Sequence, residues 1–389
     1  MKKNLHIWLL SALLLIVATA ALMLVFKPQS GGDKKSSGGV PAAVSTPTAS
    51  EKPPRDNSIV KWRTPISSQV ECLAANSHGW VVGERSGRIT ALAGSKIGWR
   101  ITFKDQNWQA IAQFNDKLVA VSFQGMVCML NSEDGSTRWM RETDGTFMHA
   151  PLFRSVEDTW VMWLISQGDS TIYCLRVADG EVLWKSEPSN RCDGRPSFWW
   201  NRLVFGNCDG VVYVVDEKTG KSLGIIETGG QSDPIAGTMC TLDTGLMLTG
   251  TYLGNFLLLD VHGMTLLDKV KIADSEAFAT PVRIGATTVA MGTPDGRITL
   301  WETRERKLQS IGEIKIGNDG VDEMMHYDDN LWVLAGRTFC KVNLKSQQVQ
   351  TFNIGDNMKG LALNWSGKLA LLADGDVVCL GRGDYVLPR

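Results

Sequence analysis

Histidine, the side chain that most often acts as an acid–base catalyst, is rare in this chain. The five histidines lie far apart, and none has the i, i+4 spacing typical of a metal site; they are His6, His78, His149, His262 and His326. Neither a G-x-S-x-G nucleophile turn nor an S-x-x-K motif occurs together with its expected partners. Acidic pairs such as Asp328-Asp329 are typical of turns. The sequence therefore predicts no catalytic residue, no metal ligand and no cofactor.

The eight cysteines divide into two groups. Four lie in predicted strands, where cysteine usually acts as a small buried apolar residue: Cys128, Cys174, Cys340 and Cys379. Cys192 and Cys208 instead fall in predicted turns. If Trp200-Asn201 is a two-residue hairpin tip, these two cysteines are one residue out of register, and a bulge would allow a disulfide between them. Such a bond requires an oxidising compartment, whereas the unpaired strand thiols favour a reducing one.

An apolar six-residue segment recurs eight times and organises the chain. Its clearest copy is Gly210–Val215, which the turn Asp216–Gly220 follows. The copies begin 38 to 45 residues apart, at residues 87, 125, 170, 210, 254, 296, 337 and 375. Each repeat holds about four strand-sized segments, which in the third repeat are Pro151–Arg154, Thr159–Ser166, Thr171–Val177 and Glu181–Glu187. Four short antiparallel strands at a period of about forty residues predict an all-β, eight-bladed β-propeller with four-stranded blades.

The turn residues around these strands resemble a known repeat. The pattern G-x-V-Y-x-[LV]-D-x-x-T-G-K-x-L, which Gly210–Leu223 matches almost throughout, is similar to the repeat of PQQ-like (quinoprotein-type) propellers. The tryptophans of Gly135–Trp139 and Gly180–Trp184 fit this repeat, whereas Asp295–Trp301 looks more like a WD repeat. The resemblance covers residues 57–389. It implies the fold and leaves the function open, because propellers host many activities.

Three functions are compatible with this resemblance. Quinoprotein dehydrogenases carry an adjacent Cys–Cys pair and are usually much longer; this chain has no adjacent cysteines, although Trp199-Trp200 would give a stacking surface. A propeller that senses a ligand or polymer is the second function. We favour a non-catalytic scaffold for protein–protein interaction in the cell envelope, in outer-membrane assembly or secretion. The chain most resembles the BamB-like propellers, which lack the quinone and work beside the β-barrel insertion machinery.

The same resemblance implies where a protein partner would dock. In BamB-like propellers the partner binds loops between blades, using an arginine before the proline of one loop and acids before the proline of the next. The corresponding loops here are Asn190–Pro196 and Thr228–Pro234. The resemblance therefore assigns partner binding to Arg191, Asp193 and Asp233. The alternative interpretation is that these residues are solvated loop charges.

The N-terminal region differs in kind from the rest. Ile7–Phe26 contains twenty uncharged residues, enough for a helix to cross the roughly 30 Å hydrocarbon layer. We expect a transmembrane anchor over residues 1–26, a disordered linker rich in Pro, Gly and Ser over residues 27–56, and the propeller over residues 57–389. The alternative is a cleavable signal peptide ending near Thr19-Ala-Ala.

The charges bear on location and on partner class. The short basic tail with Lys2 and Lys3 favours a propeller on the periplasmic side of the inner membrane, although Lys27, Lys34 and Lys35 lie on the other flank. The net charge is −1 with both signs dispersed, and this composition predicts no nucleic-acid partner.

One strand-like segment precedes the first repeat. Ile59–Arg63 carries a tryptophan, Trp62, that matches those of the outer strands. We expect this segment to close the ring as the outer strand of the last blade, because closure removes exposed sheet edges. The alternative is that Tyr385–Leu387 supplies that strand.

Overall fold

The computed structural model describes residues 58–186, 190–229, 233–235, 237–275, 280–364 and 366–381. Within these ranges, 32 strands form eight antiparallel four-stranded sheets, and each sheet is one blade. Seven blades are continuous in sequence, and the eighth adds the first strand of the chain to the last three. The predicted eight-bladed propeller with four-stranded blades is confirmed.

The strands are numbered in chain order. Blades one and two contain β2 (Val70–Asn76), β3 (Gly79–Glu84), β4 (Arg88–Ala93), β5 (Lys96–Thr102), β6 (Trp108–Phe114), β7 (Lys117–Ser122), β8 (Met126–Asn131) and β9 (Thr137–Glu142). Blades three and four contain β10 (Leu152–Val156), β11 (Thr159–Ile165), β12 (Ile172–Arg176), β13 (Val182–Lys185), β14 (Ser197–Trp199), β15 (Arg202–Gly206), β16 (Val211–Asp216) and β17 (Ser222–Glu227).

The second half of the ring follows the same plan. Blades five and six contain β18 (Cys240–Thr241), β19 (Leu246–Gly250), β20 (Asn255–Asp260), β21 (Thr265–Lys271), β22 (Val282–Arg283), β23 (Thr288–Gly292), β24 (Arg297–Arg304) and β25 (Lys307–Lys315). Blades seven and eight contain β26 (Val321–Tyr327), β27 (Asn330–Ala335), β28 (Thr338–Asn343), β29 (Val349–Phe352), β30 (Met358–Leu363), β31 (Leu369–Ala373), β32 (Asp376–Leu380) and β1 (Val60–Pro65).

The alternation of strand direction gives the propeller two distinct faces. The loops between blades and the turns between second and third strands lie on one face, called here the loop face. The turns between first and second strands, and between third and fourth strands, lie on the other, called here the hairpin face. The two faces therefore draw their residues from different parts of each repeat.

Glycines at the start of most third strands allow the blades to meet on the loop face. Six of the eight repeat starts are glycines with φ between +69° and +85°: Gly87, Gly125, Gly210, Gly254, Gly296 and Gly375. A Cβ on Gly296 would lie 2.6 Å from the carbonyl oxygen of Gly317 in the next inter-blade loop. The glycine repeat in the sequence therefore reflects a close backbone approach that other residues cannot make.

Outer-strand tryptophans lock neighbouring blades together in the first half of the ring. The indole of Trp99 packs on Gly135 of blade two, and that of Trp139 packs on Gly180 of blade three. Both indoles also donate hydrogen bonds to the next blade: Trp99 to the carbonyl of Ser132 (3.0 Å) and Trp139 to that of Val177 (3.1 Å). These tryptophans therefore pack between neighbouring blades and join them.

The core lies between adjacent sheets. Each blade buries both of its faces, and its third strand is almost wholly inaccessible to solvent. The four cysteines predicted in third strands lie in this core, with 0% to 2% of their surface exposed. Burial raises the pKa of Cys128, Cys174 and Cys340 to about 12, so these thiols stay protonated at neutral pH. They act as small apolar side chains, as predicted.

The first strand closes the ring as expected. β1 pairs with β32 in antiparallel register, with Arg63 opposite Val378 and Thr64 opposite Val377. The Arg63 guanidinium donates to the Asp376 carboxylate (3.2 Å) and to the carbonyl of Ile354 in the loop before β30. The alternative strand Tyr385–Leu387 lies outside the described residues.

The chain enters blade five differently from blades three, four and six. Pro151, Pro196 and Pro281 directly precede the innermost strands of those blades, whereas β18 starts at Cys240, six residues after Pro234, and is two residues long. Ile235 and Met239 pack into the core before it, so the chain enters this blade as a buried loop. The described residues contain no helix long and apolar enough to cross a membrane, and the predicted anchor over residues 1–26 and the linker over residues 27–56 lie outside them.

The packing of tryptophan on glycine predicts a specific loss of stability. A Cβ on Gly180 would lie 2.6 Å from the Trp139 ring, and φ there is +71°. Gly180→Ala should lower the free energy of unfolding by roughly 2–4 kcal/mol, from backbone strain plus overpacking. Gly94→Ala is the control, because Gly94 has φ +62° but no atom within 4 Å of the point where an added Cβ would lie. Denaturant unfolding should show a loss of about 1 kcal/mol in the free energy of unfolding for the control. Equal losses in both variants would contradict the tight packing of Trp139 on Gly180.

Candidate functional site

The predicted partner-binding residues lie on two neighbouring loops of the loop face. Arg191 and Asp193 belong to the loop between β13 and β14, and Asp233 belongs to the loop between β17 and β18. Backbone hydrogen bonds join these loops to the turns beside them: Cys208 N to Arg191 O (2.8 Å), Ile235 N to Asn207 O (3.0 Å) and Tyr252 N to Pro234 O (2.8 Å). We call the connected surface of residues 190–196, 207–210, 233–235 and 251–254 the blade-four rim.

Arg191 and Asp193 form an exposed ion pair on this rim. Nε of Arg191 lies 2.8 Å from Oδ1 of Asp193, with 59% and 28% of the two side chains exposed. The same carboxylate oxygen accepts a hydrogen bond from the Gln167 amide at 2.6 Å. The hydrogen bond to Asp193 raises the pKa of Arg191, which is charged at any physiological pH. The pair thus presents a positioned guanidinium to solvent.

Asp233 has a different environment, which the sequence did not reveal. Its side chain is 3% exposed and forms an ion pair with Lys269 at 2.8 Å. It also accepts hydrogen bonds from the amide nitrogen of Leu253 (2.9 Å) and from the Asn255 side chain (2.8 Å). Burial tends to raise the pKa of Asp233, but these hydrogen bonds outweigh it and hold the pKa below its usual range. Asp233 fixes the turn of blade five, and any effect on a partner would act through that turn.

Cys192 and Cys208 are both free thiols in the structure. The predicted hairpin tip at Trp200-Asn201 is confirmed, since Trp199 pairs with Arg202. The Cys192 thiol is buried and donates to the carbonyls of Gly206 (2.7 Å) and Gly194 (3.1 Å), and burial raises its pKa to about 12. A disulfide would require this thiol to leave both carbonyls, and the pairing stays a prediction.

Arg195 is the residue of this loop that sequence reasoning missed. It immediately precedes Pro196 and the innermost strand β14, and its backbone nitrogen bonds to the Thr238 hydroxyl (3.0 Å). Burial lowers the pKa of Arg195. Within the described part of the chain, the guanidinium has no hydrogen bond and no ion pair. A desolvated charge without a counter-charge is costly, and it favours binding of an anionic group.

Two exposed apolar residues complete the rim. Tyr252 and Leu253 are 46% and 41% exposed at the tip of the turn between β19 and β20. The equivalent turn of blade four reads Asn207-Cys-Asp-Gly210, and most turn tips are polar. An apolar pair at a turn tip is therefore a signal in the sequence that could have identified this surface.

A second surface of interest lies on the hairpin face. Trp200 is 75% exposed at the tip of the β14–β15 hairpin. It borders a groove of about 810 Å³ that Trp199, Arg202 and His262 also line. Trp199 and Trp200 therefore lie at the first turn of blade four.

The described residues form neither a metal site nor a nucleophile turn. No group of three His, Cys, Asp or Glu residues in the described ranges could hold a metal ion. Gly220–Gly224 fits the letters G-x-S-x-G, but it runs from a turn into the outer strand β17 and not from a strand into a helix.

Comparison with known proteins supports the fold. No protein-family model and no curated protein matches the sequence. Among solved structures, the chain is similar to BamB from Moraxella catarrhalis, with a TM-score of 0.68 and 16% identity over 83% of this chain and 99% of that one. The propeller is thus BamB-like in shape, although the comparison does not establish PQQ-like repeats.

Other propellers are almost equally similar. A computationally designed protein, Ika8, gives a TM-score of 0.67 at 16% identity, covering 83% of this chain and 98% of that one. Sqt1 from Saccharomyces cerevisiae gives 0.67 at 13% identity over 82% and 98%. At such identities the likeness concerns the fold alone, and function must be argued from the surface.

We predict that the stability of the protein depends on pH through His149, whose imidazole is largely shielded from solvent beside the blade-four rim. His149 Nε2 lies 2.7 Å from the carbonyl of Asp193, and burial is the main cause that lowers its pKa below the usual 6.5. As pH falls below about 6.5, the unfolded chain takes up this proton before the folded one, so stability is lost. Thermal midpoints measured at about pH 7.5 and about pH 5.5 should fall further for the wild type than for His149→Gln, which keeps a donor. Equal decreases would show that His149 does not contribute.

Proposed function

We propose that this protein is a non-catalytic propeller that binds a protein partner through the blade-four rim. The observation that carries the proposal is the half-buried guanidinium of Arg195, which has no hydrogen bond or ion pair among the described residues, on a rim that also exposes Arg191, Tyr252 and Leu253. Arginine and tyrosine are enriched among residues that dominate binding energy at protein interfaces. The partner would place a carboxylate against Arg195 and apolar side chains over Tyr252 and Leu253.

The rim has the rigidity that a binding surface needs. Its loops are joined by backbone hydrogen bonds, and the buried Asp233–Lys269 ion pair holds the turn that carries Tyr252. Preorganised loops lose little conformational entropy on binding, so more of the contact energy appears as affinity. The resemblance to BamB-like propellers independently assigns partner binding to Arg191 in this loop.

Variants of the two arginines test the rim. We expect Arg191→Ala to weaken partner binding by roughly 1–3 kcal/mol, and Arg195→Met, which keeps the stem but removes the charge, to weaken it at least as much. Partner capture by crosslinking from mild detergent, followed by quantitative mass spectrometry, measures the loss. Lys345→Ala is the control, since this exposed lysine lies on the opposite face of blade seven. A doubly substituted Arg191→Ala, Arg195→Met chain that captures all partners at wild-type levels would contradict the proposal. Asp233 is unsuitable for this test, because its substitution would disturb the turn.

We also propose that the propeller is held on the periplasmic side of the inner membrane by a helix over Ile7–Phe26. The apolar length of that segment and the basic tail before it support this location. An alkaline phosphatase fused after Arg389 should be active. An inactive phosphatase together with a fluorescent cytoplasmic reporter at the same site would reverse the orientation.

If the propeller lies in the periplasm, we expect a disulfide between Cys192 and Cys208. Non-reducing peptide mapping of protein isolated from the periplasmic side should find the two residues linked, and two free thiols would rule the disulfide out.

A further inference from the structure

The groove beside Trp200 contains a strained residue that the fold does not require. Trp200 has φ +53°, a conformation that is costly for a bulky side chain. At the corresponding first turns of blades two, three and seven, the residues with positive φ are polar: Asn115, Glu157, Asp158 and Asp328. A tryptophan at this position departs from the preference of these turns for polar residues, and its side chain is left 75% exposed. Such violations without a structural gain are expected at functional positions.

The rest of the groove holds its aromatic surface in place. The Trp199 indole donates to the carbonyl of Gly245 and stacks on the His262 ring, with centroids 6.1 Å apart and planes at 29°. The Arg154 guanidinium donates to the carbonyl of Trp200 and pairs with Glu217 at 2.8 Å. The hairpin tip is therefore anchored, while the Trp200 ring remains open to solvent.

The charges in the groove select the class of ligand. Arg154 is paired with Glu217, and Asp243 is paired with Arg283. Arg202 lies 5.2 Å over the Trp199 ring and donates to the carbonyl of Val261 (3.4 Å), but no carboxylate in the described part of the chain pairs with it. One positive charge is left, which disfavours a cationic ligand and favours one with a carboxylate.

We propose that this groove binds an acidic saccharide. The C–H face of a sugar ring fits the electron-rich face of an indole. Asn201 and Thr244 also line the groove and supply polar groups that can bond sugar hydroxyls. The volume of about 810 Å³ is within the range of small-ligand sites and accommodates a few sugar units. Arg202 receives the carboxylate of the ligand. This site lies on the hairpin face and is independent of the blade-four rim.

Two variants separate the roles of the aromatic ring and the charge. Trp200→Asn places a turn-compatible residue at the tip, so the unfolding midpoint should stay equal or rise, while saccharide affinity should fall about tenfold or more. Arg202→Met keeps apolar contact with Trp199 and should weaken only the acidic sugar, by about tenfold. Ile311→Asn, which removes an exposed apolar residue elsewhere, should leave binding unchanged.

The probes are a hyaluronan tetrasaccharide, which carries glucuronic acid, a neutral chitin tetrasaccharide and a tetraglutamate peptide. Calorimetric titration of the full chain in mild detergent should show binding of hyaluronan, weaker binding of the chitin fragment and none of the peptide. The proposal is overturned if the wild type binds neither sugar, if Trp200→Asn binds hyaluronan as the wild type does, or if the peptide binds in place of the sugar. Equal affinity for the two sugars, unchanged in Arg202→Met, would overturn the assignment of an acidic ligand.

Discussion

Ring closure is the constraint on which the rest of this structure depends. Every blade is a four-stranded sheet that buries both faces against its neighbours, so a missing strand would expose both an edge and a core. β1 meets that need by pairing with β32, and Arg63 ties it to the carboxylate of Asp376 and to the loop before β30. A strand from the start of the propeller thereby fixes its end. The closed ring is the rigid frame that positions the loops on both faces.

Between blades, the contacts change character around the ring. At the three junctions between the first four blades, an outer-strand tryptophan packs on a glycine of the following blade, as Trp184 does on Gly220. Between blades five and six, the Asp268 carboxylate accepts a hydrogen bond from Leu308 N at 2.8 Å. The half of the ring with tryptophan–glycine contacts includes blade four, to which both candidate surfaces belong. Rigid packing beneath the loops allows strained or desolvated residues such as Trp200 and Arg195 to persist above it.

The two candidate surfaces differ in the physics of recognition. On the blade-four rim, a desolvated guanidinium and two exposed apolar side chains suit a large partner that excludes water over a wide area. On the hairpin face, an open indole beside a single uncompensated arginine suits a small amphipathic ligand. Because the surfaces lie at opposite ends of the strands, one chain has room for both ligands at once.

The sequence by itself determined the architecture, because the fold follows from local signals that repeat. Apolar third strands recur in every blade, turn glycines open six of them, outer tryptophans mark four blades, and the unpaired segment at Ile59–Arg63 specifies closure. Tertiary structure decided what the loop charges do. In the sequence, Arg191, Arg195 and Asp233 are all charged residues of inter-blade loops. In the structure, Arg191 is exposed, Arg195 is half-buried with no counter-charge among the described residues, and Asp233 is buried against Lys269. Burial and pairing depend on residues from neighbouring blades that are distant in sequence, so no local pattern encodes them.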